Sequence, residues 1–248
     1  MPAPLIIAHR GASFDAPENT LAAFRLAFAQ GADGIEADFR LSNDGEIICL
    51  HDATTGRTAD KNRRVATQSL AQLRRLDFGE WKGAQWRGER IPTLAEVLTI
   101  LPAGKKLYIE IKCGVEIIPP LRTLLATTPM APENLRFLAF DAPLLASLKQ
   151  AFPSIKSCLN VEYRRLGPAC CRQPQADEIL QRLAACDADG LSSHSHPGID
   201  RPLVERLRTA GKELHVWTVD LLADARHYQL LEVDSLLTNR PGFLRQGT

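Results

Sequence analysis

The sequence lacks the features that mark nucleic-acid-binding, membrane-bound or exported proteins. Its 248 residues carry 30 Lys and Arg against 29 Asp and Glu, so the formal charge is only +1. A strong excess of one sign, which favours nucleic acid or membrane surfaces, is absent. The first apolar run, Leu5 to Ala8, is far too short for a signal peptide or a membrane span, and no basic segment precedes it. These absences predict a cytoplasmic protein with no nucleic-acid partner and no membrane anchor.

Cysteine is present but lacks the spacings of zinc sites and redox motifs. None of the six cysteines forms Cys-x-x-Cys, and the adjacent Cys170 and Cys171 have no partner pair at zinc-ligand spacing. We therefore expect reduced and mostly buried thiols, with a redox or metal role for the adjacent pair as the alternative. A hydrophobic content of 45% and a charged content of 24% are typical of a globular chain with a substantial core.

Short apolar segments alternate with helical patterns along the chain. Predicted strands begin near Leu5, Gly34, Leu107, Leu135, Lys156, Gly190, Leu214 and Ser235. Helical spacing follows most of them, as in residues 20–30, after which Gly31 ends the helix. Eight strand–helix units in about 250 residues predict an α/β fold of the (β/α)8 TIM barrel type. An open doubly wound sheet is the alternative, but no Gly-x-Gly-x-x-Gly follows any of these strands.

One segment, residues 53–91, breaks this alternation. It is too long for a plain connection and carries nine Lys or Arg together with Trp81 and Trp86. We predict a small helical insertion after the second strand and its hairpin, within a single domain over residues 1–248. Its arginines form either a solvated face or a binding patch. After it, the capping-box pattern of residues 93–96 predicts the start of the next barrel helix.

Glu36 and Asp38 lie two residues apart in a predicted strand, so their side chains share a face. Neighbouring carboxylates repel each other unless a cation or a proton lies between them, which favours a hard metal ion. Asn43-Asp44-Gly45 predicts a hairpin whose return strand brings His51 back toward the carboxylates. Taken alone, both features are also common on ordinary sheet faces and in turns.

Further charged residues fall at strand ends, where the active sites of such barrels lie. His9 and Arg10 end the first strand, and Glu110 and Lys112 share a face of the third. Buried charges of this kind need one another, a metal ion or a ligand. Carboxylate oxygens favour one divalent cation, Mg²⁺ or Ca²⁺, over Zn²⁺, while arginine and lysine suit phosphate oxygens. Two histidines with an ordinary pKa near 6.5 can act as base and acid. Phosphodiester cleavage uses all of these groups.

Eight motifs follow one another over nearly the whole chain. They are His9-Arg10-Gly11, Pro17-Glu18-Asn19-Thr20, Glu36-x-Asp38, Asp44-Gly45, His51-Asp52, Ile91-Pro92-Thr93-Leu94, Glu110-Ile111-Lys112 and Trp217-Thr218-Val219-Asp220. Together they resemble the motifs of the glycerophosphodiester phosphodiesterases of the cytosolic bacterial type. The resemblance implies a TIM barrel that hydrolyses a small-molecule glycerophosphodiester to glycerol 3-phosphate and an alcohol.

The resemblance also implies a role for each site residue. The implied roles are acid–base catalysis for His9 and His51, metal binding for Glu36, Asp38 and Glu110, phosphate binding for Arg10 and Lys112, support of the site for Asn19, and a wall of the glycerol pocket for Trp217. A barrel-core position is the alternative for Trp217. We expect His194 and His196 to be exposed loop residues rather than metal ligands, and His215 and His227 to serve packing or to lie on the surface.

Three other functions remain open at this point. A lysophospholipase D type of phosphodiesterase would use the same groups on a lipid, but the sequence lacks an apolar anchor or lipid-docking helix. A catalytically silent phosphoester-binding barrel would need the cations but not both histidines and all three carboxylates. A metal-dependent lyase or aldolase barrel gives no reason for two histidines beside a metal and phosphate site.

Overall fold

A computed structural model describes residues 3–162 and 176–247 of the chain. The strands of these residues are β1 (Leu5–His9), β2 (Gly34–Leu41), β3 (Ile47–Cys49), β4 (Lys106–Ile111), β5 (Leu135–Ala139), β6 (Lys156–Val161), β7 (Gly190–His194), β8 (Glu213–Trp217) and β9 (Ser235–Thr238). All except β3 run parallel to their neighbours, and β1 pairs with both β2 and β9, which closes the sheet. The predicted (β/α)8 TIM barrel is confirmed.

The helices of the described residues follow the strands. They are α1 (Leu21–Ala29), α2 (Leu70–Leu73), α3 (Leu94–Ile100), α4 (Ile118–Thr127), α5 (Ala142–Ala151), α6 (Ala176–Ala185), α7 (Arg201–Thr209), α8 (Leu222–Leu231) and α9 (Pro241–Gly247), with 3-10 turns at Val65–Thr67, Ala84–Trp86, Val115–Ile117 and Pro132–Asn134. The predicted capping box is confirmed, since Thr93 and Glu96 each accept a hydrogen bond from the other's backbone N–H. Among these helices, none is long and apolar enough to cross a membrane.

Two prolines lie in the first turn of α4 and do not interrupt the helix. The helix begins at Ile118 after a 3-10 turn, so Pro119 and Pro120 lie in its first turn. Backbone N–H groups in a first turn have no intrahelical partner, and proline therefore costs no hydrogen bond there.

The predicted hairpin is present, and its part of β2 extends beyond the residues that pair within the barrel. Gly45 turns the chain with a φ of +82°, and the antiparallel pairs run from Leu41 opposite Ile47 to Phe39 opposite Cys49. Because the return strand pairs with the C-terminal end of β2, beyond the residues of β2 that pair with β1, the chain leaves it at the C-terminal end of the barrel. That is the end at which barrel active sites are built.

The 53–91 insertion follows this hairpin and contains α2 and two 3-10 turns as its regular structure. It has a small apolar core of its own, separate from the layer between strands and helices. The buried members of that core are Ile48, Leu50, Val65, Leu73, Leu76, Phe78 and Ile91. Since Ile48 lies in β3, the hairpin and the insertion are packed together.

Apolar side chains fill the middle of the barrel interior. Ile7, Tyr108, Leu138, Cys158 and Leu237 form this buried cluster. It separates two polar ends of the barrel, each of which must satisfy its own buried charges.

The N-terminal end holds Glu213 between cations. Its carboxylate accepts hydrogen bonds from Arg136 and Lys156, and His215 lies 3.2 Å away while also bonding Ser235. Cys158, Glu213 and His215 are close enough to share a metal ion. We assign the group a structural role, because the cations already neutralise the carboxylate.

Candidate active site

A pocket of about 500 Å³ opens at the C-terminal ends of the strands. It is lined by His9, Arg10, Glu36, His51, Glu110, Lys112, Leu138, Phe140, Asn160, Glu162, Trp217 and Leu237. Seven of the nine predicted site residues are in this lining, and Asp38 and Asn19 contact them from behind. The structure therefore brings the predicted site residues to one place.

Three buried carboxylates form one wall of the site. Asp38 of β2 lies beside Glu110 of β4 in the parallel ladder, and Glu36 shares the inward face two residues earlier. One oxygen of each carboxylate lies within 4.8 Å of the other two. Oε1 of Glu36, Oδ1 of Asp38 and Oε1 of Glu110 have no hydrogen-bond partner among the described residues, although Lys112 makes ion pairs with the last two.

The electrostatics of these carboxylates reflect their crowding. Burial and repulsion by its acidic neighbours raise the pKa of Glu36 well above its ordinary value, and burial with the Asp38 charge raises the pKa of Glu110 to about 7. Burial also raises the pKa of Asp38, but Arg10 and Lys112 outweigh it and leave that pKa below its ordinary value. A hard divalent cation fits this cluster, because Lys112 alone faces two of the three oxygens and Oε1 of Glu36 has neither a hydrogen bond nor an ion pair among the described residues.

Arg10 and Lys112 provide the positive charge of the pocket. Arg10 lies 3.1 Å from Asp38 and 2.9 Å from Glu18, while Lys112 lies 3.2 Å from Asp38 and also pairs with Glu110. Both cations line the pocket with more than four-fifths of their side chains buried. A cation held in this way keeps its charge and a fixed position for a phosphate oxygen.

The two predicted catalytic histidines are held by different partners. Nδ1 of His9 lies 2.8 Å from Oδ1 of Asn239, and Nδ1 of His51 lies 2.6 Å from Oδ1 of Asp52. Because both partners are oxygen acceptors, each Nδ1 donates. Neither Nε2 has a hydrogen bond among the described residues, although Nε2 of His9 lies 3.9 Å from Oε2 of Glu36. Burial lowers the pKa of His9 to about 4 and also lowers the pKa of His51. Burial therefore favours the neutral form of each ring.

Asn239 was not predicted from the sequence. Its amide nitrogen donates to Asp220 at 2.7 Å, and Ser13 donates to its Oδ1. This network fixes the amide so that its oxygen faces His9. The available signal was a polar residue directly after the last strand, at the same end of the barrel as the predicted site residues.

Trp217 and Phe140 form the aromatic wall of the pocket. Their ring centroids lie 5.9 Å apart in an edge-to-face arrangement, and the His194 ring also packs on Trp217, with a centroid distance of 5.3 Å. The expectation that His194 and His196 are exposed was wrong. Both are half-buried, since His194 ends β7 against the indole and His196 accepts a hydrogen bond from the N–H of Gly198.

Other pocket residues also escaped the sequence reasoning. Phe140, Asn160 and Glu162 line the pocket at the ends of β5 and β6, where position in the barrel was the only signal. Arg57 of the insertion bonds Glu18 and Asp52 beside the site. The cysteine pair at 170 and 171 lies outside the described residues, and the free cysteines at 49, 158 and 186 are buried as expected.

The sequence and the fold of this chain are similar to those of known proteins over the range that contains all the predicted site residues. Residues 9–243 match the Glycerophosphoryl diester phosphodiesterase family. A relative named glycerophosphodiester phosphodiesterase from Caldanaerobacter subterraneus is 33% identical over 246 residues, covering 96% of this chain and 94% of its own. An Oleispira antarctica phosphodiesterase, solved with the product sn-glycerol-3-phosphate, aligns with a TM-score of 0.87 and 30% identity over 99% of this chain and 96% of its own. The Agrobacterium tumefaciens glycerophosphodiester phosphodiesterase aligns with a TM-score of 0.83 and 26% identity over 98% and 99%. The chain belongs to the glycerophosphoryl diester phosphodiesterase family.

Proposed function

We propose that this protein hydrolyses glycerophosphodiesters to glycerol 3-phosphate and an alcohol, with a divalent cation and the two histidines as its catalytic groups. The observation that carries the proposal is the single pocket onto which three buried carboxylates, two cations and two oriented histidines converge. Family membership supports the same reaction, and a similar solved protein binds the product that the reaction would release. We also propose that residues 1–248 form one barrel domain with the insertion at 53–91.

Glu36, Asp38 and Glu110 would hold the cation through oxygens that lack hydrogen bonds. All three ligands are carboxylates, which favours Mg²⁺ or Ca²⁺. Such a cation supplies Lewis-acid polarisation of a phosphoryl oxygen when it is bound.

Arg10 and Lys112 would bind the phosphodiester from the sides of the carboxylate cluster. Both cations line the pocket and are already fixed by acidic partners, so little ordering is needed when substrate arrives. Trp217 and Phe140 would contact the carbon skeleton of the glycerol, because they form the apolar wall of the same pocket.

His9 and His51 would move the protons of the reaction. One Nε2 would accept the proton of the attacking hydroxyl group. The other ring would take up a proton beside the anionic phosphodiester, which favours the charged form, and would donate it to the oxygen of the departing alcohol. Their Nδ1 atoms are occupied by Asn239 and Asp52, so each ring has one defined atom for exchange. A catalytically silent binding protein would not need two histidines held in fixed orientations.

The direct test measures release of glycerol 3-phosphate from glycerophosphocholine by purified protein. We expect turnover that dialysis against EDTA abolishes and that Mg²⁺ or Ca²⁺ restores. A protein that binds the substrate but never releases glycerol 3-phosphate, with any divalent ion, would contradict the proposed reaction. Full turnover in excess EDTA would contradict the metal dependence alone.

A further inference from the structure

Arg57 of the 53–91 insertion joins two acidic residues from different loops, Glu18 between β1 and α1 and Asp52 after β3. Its Nε and Nη2 lie 2.7 and 3.2 Å from the two oxygens of Asp52, and its Nη1 and Nη2 lie 2.7 and 2.9 Å from the two oxygens of Glu18. Both contacts are bidentate, so one planar guanidinium fixes two carboxylates at once.

Asp52 is the residue that holds His51. Its Oδ1 lies 2.6 Å from Nδ1 of the imidazole, and no other hydrogen bond to that ring is found among the described residues. The hydrogen bond from Arg57 and the proximity of His51 hold the pKa of Asp52 at about 2, against the smaller effect of burial. Asp52 therefore stays ionised at neutral pH and accepts the Nδ1 proton.

The other end of Arg57 is anchored in the barrel. Glu18 accepts a hydrogen bond from Arg10 at 2.9 Å, and Arg10 in turn contacts Asp38. Glu18 has only 13% of its side chain exposed, so this anchor is more buried than the guanidinium, which is 44% exposed. The chain of contacts runs from the barrel through the insertion residue and back to the histidine.

We propose that Arg57 is a positioning residue, which acts through Asp52 to fix the orientation and the Nδ1-protonated form of His51. The proposal rests on the proposed catalytic role of His51. It gives the 53–91 insertion a part in the chemistry, because the insertion supplies the guanidinium. A direct contact with substrate is the competing explanation, and Arg57 does not belong to the pocket lining.

The proposed role requires the planar guanidinium group of arginine and not only a positive charge. Four N–H···O contacts involve all three nitrogens of the guanidinium, and a lysine ammonium cannot span both carboxylates in this way. Arg57→Ala should lower kcat about ten- to a hundredfold, as for other residues that orient a reacting group from behind. KM should change much less, and Arg57→Lys should recover little of the rate.

A mutant cycle tests the route through Asp52. If Arg57 acts through Asp52, adding Arg57→Ala to Asp52→Ala should cost little further rate, whereas independent residues would give the product of the two losses. Arg87→Ala is the matched control, since Arg87 is an exposed arginine of the same insertion that pairs with Glu80. It should leave kcat and KM unchanged.

A measurement without turnover separates this proposal from the proposed function. The ¹⁵N NMR shifts of the His51 ring at neutral pH should report a protonated Nδ1 in the wild type and in Arg87→Ala, and a mixture of neutral forms in Arg57→Ala. An unchanged ring spectrum in Arg57→Ala, additive losses in the cycle, or an effect confined to KM would each overturn the positioning role. An inactive wild type with the expected ring spectra would contradict the proposed reaction and leave the positioning of His51 intact.

Discussion

Asn19 and Asp38 hold each other through two hydrogen bonds. Nδ2 of Asn19 donates to Oδ2 of Asp38 at 2.8 Å, and the backbone N–H of Asp38 donates to Oδ1 of Asn19 at 3.2 Å. Asn19 has a φ of +58°, a conformation that asparagine and aspartate adopt more readily than most other side chains. The pair fixes one oxygen of Asp38 and leaves Oδ1 directed at the carboxylate cluster.

Replacing Asn19 by aspartate should weaken the proposed metal site. The variant tolerates the same φ, but it exchanges the Nδ2 donor for an oxygen beside Asp38, so Asp38 loses its orientation and gains a repelling neighbour. We expect about tenfold or greater loss in Mg²⁺ or Ca²⁺ affinity by isothermal titration calorimetry. Asn43→Asp, the same exchange in the exposed hairpin turn, should leave affinity unchanged. Equal affinities for all three proteins would exclude a supporting role for Asn19.

Removing one carboxylate should separate metal binding from folding. Glu36→Gln and Glu110→Gln lose a ligand and should lose most of their activity and divalent-ion binding. The metal-free variants should melt at no lower temperature than the wild type in EDTA, because glutamine removes a buried charge that its neighbours repel. Thermal unfolding followed by circular dichroism checks this. A melting temperature that falls in both variants would indicate a structural role for the carboxylates.

The histidine pair should behave as one unit. His9→Ala and His51→Ala should each lower the rate about a hundredfold or more, and the double variant should lose much less than the product. His227→Ala is the control, because that histidine is exposed on α8. A histidine whose alanine variant keeps the wild-type rate has no part in the mechanism. His194→Ala is unsuitable as a silent control, since its ring packs on Trp217.

At the opposite end of the barrel, Glu213 should contribute to stability in a pH-dependent way. Burial raises the pKa of Glu213. Hydrogen bonds with His215 and Arg136 and the nearby positive charges lower it by more, so the pKa lies below its ordinary value of 4.5. A lowered carboxyl pKa stabilises the folded state fully above the unfolded pKa, and this stability is lost as the pH falls. Glu213→Gln should therefore lower the free energy of unfolding by about 2 kcal/mol at pH 7, somewhat less than for a fully buried pair.

Denaturant unfolding at several pH values tests this dependence. The difference between wild type and Glu213→Gln should shrink below about pH 4.5, where the wild-type carboxylate begins to lose its advantage. Glu80→Gln breaks an exposed ion pair with Arg87 and should have no measurable effect. A difference that stays constant down to pH 3 would show that the charge of Glu213 does not carry the effect.

Some residues of the candidate site could be predicted from the sequence, because strand periodicity and the order of strands in the barrel are enough to place them. Glu36 and Asp38 share a strand face by period alone, and the barrel then places Glu110 beside Asp38 through the ladder register. Thr93 begins α3 through a capping box that is encoded within four residues. Such features need no knowledge of distant contacts.

Contacts between distant segments were not predictable in this way. Asn239 meets His9 across 230 residues, and Arg57 reaches Glu18 across 39. We expected His194 to lie in an exposed loop, but the closed barrel brings Trp217 against it. Side-chain partners of this kind depend on how strands and loops close, which a single sequence does not encode locally.

We expect the oxygen that attacks phosphorus to come from the substrate's own glycerol rather than from water. The 2-hydroxyl of the substrate's own glycerol can close a five-membered cyclic phosphate, and an intramolecular nucleophile has a large advantage in effective concentration over water. His9 and His51 suit this route, since one imidazole deprotonates the hydroxyl while the other protonates the departing alcohol, and their roles reverse when water opens the cyclic phosphate.

A 2-deoxy analogue of glycerophosphoethanolamine should therefore bind through Arg10 and Lys112 but hardly be cleaved at saturation. Phosphorus NMR should detect cyclic glycerol phosphate only with the natural substrate. Equal turnover of the two substrates, with no cyclic species at any time, would favour direct attack by water.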